Sequence, residues 1–212
     1  LEIQNGATVS NTNGLIAAGA ASSGTVTVDN ATWNNSNLLI VGGAGNGTMH
    51  IVNGAAVTSA AGFIGDEDVG GNTGSGLVTV DNASWTANGQ LVVGSAGSGS
   101  LVVQNNASVG AMSVTVGEAV GVLSLQNGDV LLAGTGDLVN NGVVESLLGD
   151  NSVDGNLVSG TSGRLLFEIA GTSGVDIGEI TLTGDATLDG TLEVVPLGDF
   201  TPALGDSFDL LF

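Results

Sequence analysis

The 212-residue sequence predicts an all-β chain wound into a right-handed parallel β-helix, a solenoid of about 23 residues per coil. Three observations predict it. First, Gly19, Gly42, Gly65, Gly94 and Gly117 recur at steps of 23, 23, 29 and 23 residues, and Gly24, Gly47, Gly76, Gly99 and Gly121 keep the same beat. Second, Asn30, Asn53, Asn82, Asn105 and Asn127 each follow one of the second set by six residues. Third, the residues between the beats alternate with period two. Thr25-Val26-Thr27-Val28 is the pattern of a half-buried strand.

Each coil reads as the same series of elements. A leading glycine opens a strand of alternating β-branched residues. The periodic asparagine then turns the chain, because Asn tolerates left-handed backbone angles and bonds its own backbone in turns. Asn5 plays this part in the first coil. Stacked at one corner, these amides are expected to form a structural ladder like those in cross-β stacks. A second short strand follows, carrying Leu39 and Val41 in one coil, and a glycine such as Gly42 begins the next turn. No helical stripe at i, i+3, i+4, i+7 is sustained anywhere. With coils ~4.8 Å apart, about nine coils make a rod roughly 40 Å long. A β-sandwich is the alternative, but it has no reason to repeat its sequence at this period.

The segments 24–46 (GTVTVDNATWNNSNLLIVGGAGN) and 76–98 (GLVTVDNASWTANGQLVVGSAGS) match at a displacement of 52 residues, two coils plus one insertion. Regular repeats thus occupy 1–128. The stretch 129–212 loses the tidy beat, is richer in Leu and Phe, and carries 14 of the 21 acidic residues. Its alternating segments predict a less regular, acidic continuation of the solenoid.

Composition excludes several classes of function. One Lys or Arg against 21 Asp or Glu gives a net charge of −20, which argues against nucleic acid and anionic membranes as partners. A hydrophobic content of 42% and a mean hydropathy of +0.41 supply a core and argue against disorder. Cysteine is absent, so no disulfide framework or thiolate metal site exists. No apolar run reaches the ~18 residues of a membrane span, and Leu1-Glu2-Ile3 does not read as the basic start of a signal peptide. The chain is read as a mature or trimmed product without membrane insertion.

Candidates for chemistry are few. His50 alternates with apolar neighbours, so it is expected to face outward from a strand, without the partners a metal cluster or a Ser-His-Asp triad requires. Arg164 is the only Lys or Arg and is expected to pair with a carboxylate. Most acidic residues stand singly in turns, which does not suit paired general acid and base. The chief anomaly is the turn from Gly65 to Gly76, eleven residues where other coils use four or five. It carries Asp66, Glu67 and Asp68, hard oxygen ligands that make it a candidate Ca²⁺ site. It matches neither the EF-hand loop nor the glycine-rich calcium nonapeptide, and a solvated acidic loop is the competing reading. No other cofactor is expected.

Trp33 and Trp85 occupy equivalent places and read as core plugs, with exposed sugar-stacking platforms as the alternative. Asn30, Asn34, Asn46, Asn82 and Asn106 match N-x-S/T and are candidate glycosylation acceptors in a host that glycosylates. Outward threonine pairs such as Thr25/Thr27 and Thr181/Thr183 look too sparse for an ice-binding face.

Segments 24–47 and 76–99 resemble the repeats of autotransporter passengers and of related exported PEP-CTERM proteins. The segment from Ile180 to Phe212 is similar to stretches found toward the end of such solenoids. The resemblance covers Leu1 to about Leu125 and about Arg164 to Phe212. It implies a parallel β-helix outside the cytoplasm, on the outer surface of a bacterium or beyond it. The sequence at hand carries neither the translocating β-barrel nor the sorting tail of that group.

The function expected from all this is a non-catalytic, extracellular, structural solenoid, a fibre or surface-matrix subunit. A coil stack has two open ends, with no capping helix visible at Leu1 and no polar cap at Leu210-Leu211-Phe212. Either the chain is a fragment of a longer passenger or the ends join neighbouring subunits, and self-association end to end is the favoured expectation. The alternative is an adhesin passenger that binds glycan or a cell surface. An enzyme is disfavoured by the scarcity of His, Lys and Arg.

Overall fold

The computed structural model describes residues 1–66, 73–118, 120–133 and 136–212. It is a β-solenoid of eight three-strand coils and the start of a ninth. The first coil is β1 (Glu2–Gln4), β2 (Thr8–Asn11) and β3 (Gly14–Ile16); the second is β4 (Ser23–Asp29), β5 (Thr32–Asn35) and β6 (Leu38–Val41). The third is β7 (Asn46–Val52), β8 (Ala56–Ser59) and β9 (Ala61–Ile64); the fourth is β10 (Ser75–Asp81), β11 (Ser84–Ala87) and β12 (Gln90–Val93). In the fifth and sixth coils one strand runs through the first corner, giving β13 (Ser98–Ala111) with β14 (Ser113–Val116), and β15 (Gly121–Leu132) with β16 (Asp137–Asn140). The seventh is β17 (Val143–Ser146), β18 (Gly149–Asp154) and β19 (Asn156–Ser159); the eighth is β20 (Arg164–Ile169), β21 (Gly178–Leu182) and β22 (Ala186–Thr187). The ninth begins with β23 (Thr191–Pro196), and Leu211 bridges to Ile180 beside it.

The named strands pair in parallel with the equivalent strand one coil away, in a 15-stranded and an 8-stranded sheet. Register carries the period: Thr27 pairs with His50, His50 with Thr79 and Thr79 with Val102. The long step lies between His50 and Thr79, around the insertion that follows Gly65. Inward positions form unbroken columns. Val28, Ile51, Val80, Val103 and Leu125 stack in one, and Val26, Met49, Val78, Leu101 and Leu123 in another, all at most 6% exposed. One core runs from Ile3 to Ile180, and β15 carries it across residue 129, where the outward chemistry turns acidic.

Two corners explain the periodic residues. At the corner between the first and second strands of the first six coils, Asn5, Asn30, Asn53, Asn82, Asn105 and Asn127 all have positive φ, from 45° to 59°. At the corner that returns to the next coil, Gly42 has φ 72°, and a Cβ there would overlap the Ser75 backbone one coil on. From Gly42 to Gly117 the glycine beat marks where backbone packs on backbone, while Gly19 in the first coil faces open space.

The 52-residue match has a packing cause. Val9, Trp33, Val57, Trp85 and Val109 form one inward column, and Gly14, Leu39, Gly62, Leu91 and Val114 form the column facing it. Tryptophan coils alternate with glycine coils. A Cβ on Gly62 would lie 2.6 Å from Trp85 Cζ2 and 2.8 Å from Leu91 Cδ1, so the indole occupies the space that the glycine leaves. From the fifth coil on the pairs are of middle size, Val109 with Val114 and then Val130 with Leu138. There the two-coil alternation is no longer needed.

Candidate functional site

Both tryptophans are core plugs. Trp33 is 4% exposed and Trp85 fully buried. Each indole N–H donates to a polar residue one coil back: Trp33 Nε1 to Asn11 Oδ1 at 2.6 Å, and Trp85 Nε1 to Ser59 Oγ at 3.2 Å. The Asn11 amide in turn donates to Asn35 Oδ1 at 2.6 Å. These polar groups are internal and satisfy the indoles, as buried donors require. The sugar-platform alternative is thereby removed.

The asparagine corner is bound through aspartates. Asn53 Nδ2 donates to Asp29 Oδ1 at 2.8 Å, and Asn105 Nδ2 donates to Asp81 Oδ1 at 2.8 Å, each reaching the preceding coil. Gln104 Nε2 holds the other Asp81 oxygen at 2.9 Å. Asn127 Oδ1 accepts from the Asp150 backbone N–H at 3.2 Å. Asn30 and Asn82 share the left-handed geometry and stand exposed at the same corner. The stack is thus a ladder of backbone conformation, tied between coils by Asn-to-Asp hydrogen bonds.

The candidate calcium ligands divide. Asp66 lies in the described part, where its backbone N–H donates to the Gly42 carbonyl at 3.0 Å and its carbonyl accepts from Gly74 at 2.9 Å. Glu67 and Asp68 lie outside the described residues. Among the described residues, no three or more His, Asp or Glu gather as metal ligands. His50 faces outward on β7, flanked in register by Thr27 and Thr79. Arg164 pairs with Glu193, Nε to Oε2 at 2.6 Å, both side chains about 40% exposed. Asn30, Asn46, Asn82 and Asn106 are exposed, and Asn34 is half-buried with its Oδ1 accepting from Thr58 Oγ1 at 3.0 Å. No helix among the described residues is long and apolar enough to cross a membrane.

The ends of the stack carry the most unusual surface. The two inward columns of the first sheet face continue through Leu165 and Phe167, which are 3% and 0% exposed. Their next members are Leu192 and Val194 on β23, in register but 52% and 37% exposed. Leu188, in the last turn before β23, is 49% exposed. These are core positions with no coil above them. At the other end, Leu1 is 67% exposed and β1 has one free edge, its amino terminus donating to the Thr25 carbonyl at 2.9 Å. The sequence reading places the second end at Leu210-Leu211-Phe212. Leu210 and Leu211 instead pack on the core beside β21, where Ile180 N–H donates to the Leu210 carbonyl at 3.0 Å. The periodic asparagine ends at Asn127, so only the register of β20 with β23 places Leu192 and Val194 in these columns.

Comparison of the chain with known family models, curated proteins and solved structures returned no match.

Proposed function

We propose that the chain is a non-catalytic, extracellular structural rod, a fibre or surface-matrix subunit of a bacterial cell surface, that assembles end to end. The observation that carries this reading is the β23 face. Leu192 and Val194 stand in core register, and the outer edge of β23 offers its backbone groups to a further parallel strand. Burying each such side chain contributes about 1.5–3 kcal/mol. A coil supplied by β1, β2 and β3 of a second copy would bury them and pair the free edges. A head-to-tail contact of this kind does not close on itself and so extends into a filament.

Sedimentation velocity on the chain Leu1–Phe212 tests the reading. The expected result is a series of species that grows with concentration, and Leu192→Asp with Val194→Asp reduces it to monomer. A single monomeric species at every concentration overturns it.

A further inference from the structure

A second surface lies along the side of the rod, at the corner between the second and third strands of each coil. Two rows of residues border it, running parallel to the rod axis. The strand row is Ser10, Asn34, Thr58, Thr86, Gly110 and Leu131, in direct register. The corner row is Thr12, Ser36, Ala60, Asn88, Met112 and Ala133. Between them lies a groove in two sections that share Asn88, of about 560 Å³ over the first four coils and about 280 Å³ over the fourth to sixth. Five intervals of ~4.8 Å give it a length of about 24 Å.

Gly110 shows that the hollow is not a by-product of backbone geometry. Its φ is outside the left-handed region. A Cβ there would meet Thr86 at 3.7 Å and the Leu131 carbonyl at 3.8 Å, ordinary contacts. Neither space nor backbone requires glycine at this position, unlike Gly42 and Gly62. Its effect is to leave out one side chain from the row, next to Met112 and Leu131, which are 58% and 44% exposed. Together they give the groove an apolar stretch beside its polar section.

We infer that this groove binds a linear, uncharged polysaccharide. No charged side chain lines either section, and the chain's −20 charge repels acidic polymers. The polar section offers hydroxyls and primary amides, groups that both donate and accept, as sugar hydroxyls do. Asn34 Nδ2 and the side chains of Ser10, Thr12, Ser36, Thr86 and Asn88 have no hydrogen-bond partner among the described residues. The section around Met112 and Leu131 suits the C–H faces of pyranose rings. A peptide adding as a strand is a poorer fit, because it needs a free sheet edge. Here the backbone is already paired between coils: Ser36 N–H donates to Asn11, Asn88 to Ser59 and Met112 to Gly89.

The test uses the Leu192→Asp/Val194→Asp chain, so that it does not depend on end-to-end assembly. It is exposed to an array of neutral linear β-glucan, α-glucan and mannan oligosaccharides, with oligogalacturonate as the acidic control. Retention of at least one neutral glycan and not of the acidic one is expected. Gly110→Trp, which fills the hollow from an outward strand position, abolishes binding, and Thr86→Ala with Asn88→Ala weakens it about tenfold, the loss of a hydrogen bond or two. Circular dichroism confirms that the variants keep the fold. Three results would overturn the inference: no neutral glycan retained, preference for the acidic one, or full binding by folded Gly110→Trp.

Discussion

Replacing Gly62 by alanine isolates the packing rule that builds the first half of the rod. In an ordinary strand, Gly→Ala at a compatible φ stabilises by about 0.4–1 kcal/mol through the unfolded state. At Gly62 the new Cβ would lie 2.6 Å from Trp85 Cζ2, 2.8 Å from Leu91 Cδ1 and 3.0 Å from Trp85 Cη2. The indole cannot easily retreat, since it is fully buried and its N–H is held by Ser59. Overpacking of this kind costs about 1–3 kcal/mol. For a chain of this size that lowers Tm by about 2–4 °C per kcal/mol. Trp85→Leu alone opens a cavity and costs up to about 3–5 kcal/mol, the range for truncating a buried aromatic. In the double variant both Trp85 contacts are gone and Leu91 can shift into the vacated space, so most of the cost disappears. A double-mutant cycle by urea denaturation should therefore give a favourable coupling of about 1–3 kcal/mol. Gly110→Ala, with only ordinary contacts, is the control and should be neutral or slightly stabilising. Additivity of the two substitutions within about 0.5 kcal/mol would refute the idea that the glycine coil exists to receive the indole.

Three further outcomes are expected. Asn53→Ala puts a residue without asparagine's tolerance of left-handed angles at φ 55° and severs the bond to Asp29, costing about 1–2 kcal/mol by thermal denaturation, whereas Asn53→Gly changes stability little. Ser59→Ala leaves the buried Trp85 N–H without its acceptor and costs about 1–3 kcal/mol, visible as a lower urea midpoint and a shifted indole emission. Arg164→Gln removes a half-exposed ion pair to Glu193 and costs no more than about 1 kcal/mol, an effect that shrinks further in high salt.

The corners were legible because each rests on a single residue type with a backbone reason. Asn53 and Gly42 announce left-handed turns wherever they stand, and their spacing gives the coil length. The 52-residue match was visible as well, but its cause was not. That Trp85 needs Gly62 is a contact between adjacent coils, seen only once register places Val57 beside Trp85 and Gly62 beside Leu91. The groove was harder still. Ser10, Asn34, Thr58 and Thr86 are unremarkable surface residues 24 to 28 positions apart, and only stacking makes them a row. Gly110 looked like any of the 37 glycines until its lack of a steric or dihedral reason set it apart. The open end was misplaced to Leu210–Phe212 because the loop before them folds on itself, with Phe200 and Phe208 in edge-to-face contact at 6.1 Å, and delivers those residues beside β21.

Electron cryomicroscopy of the purified chain at high concentration tests the central proposal most directly. Stacking of β1–β3 on β23 predicts unbranched filaments far longer than the roughly 40 Å of one rod, with the ~4.8 Å strand spacing continuous through each junction. Separate rods of single-chain length, their Leu192 and Val194 faces left open at concentrations where the filament should form, would contradict it.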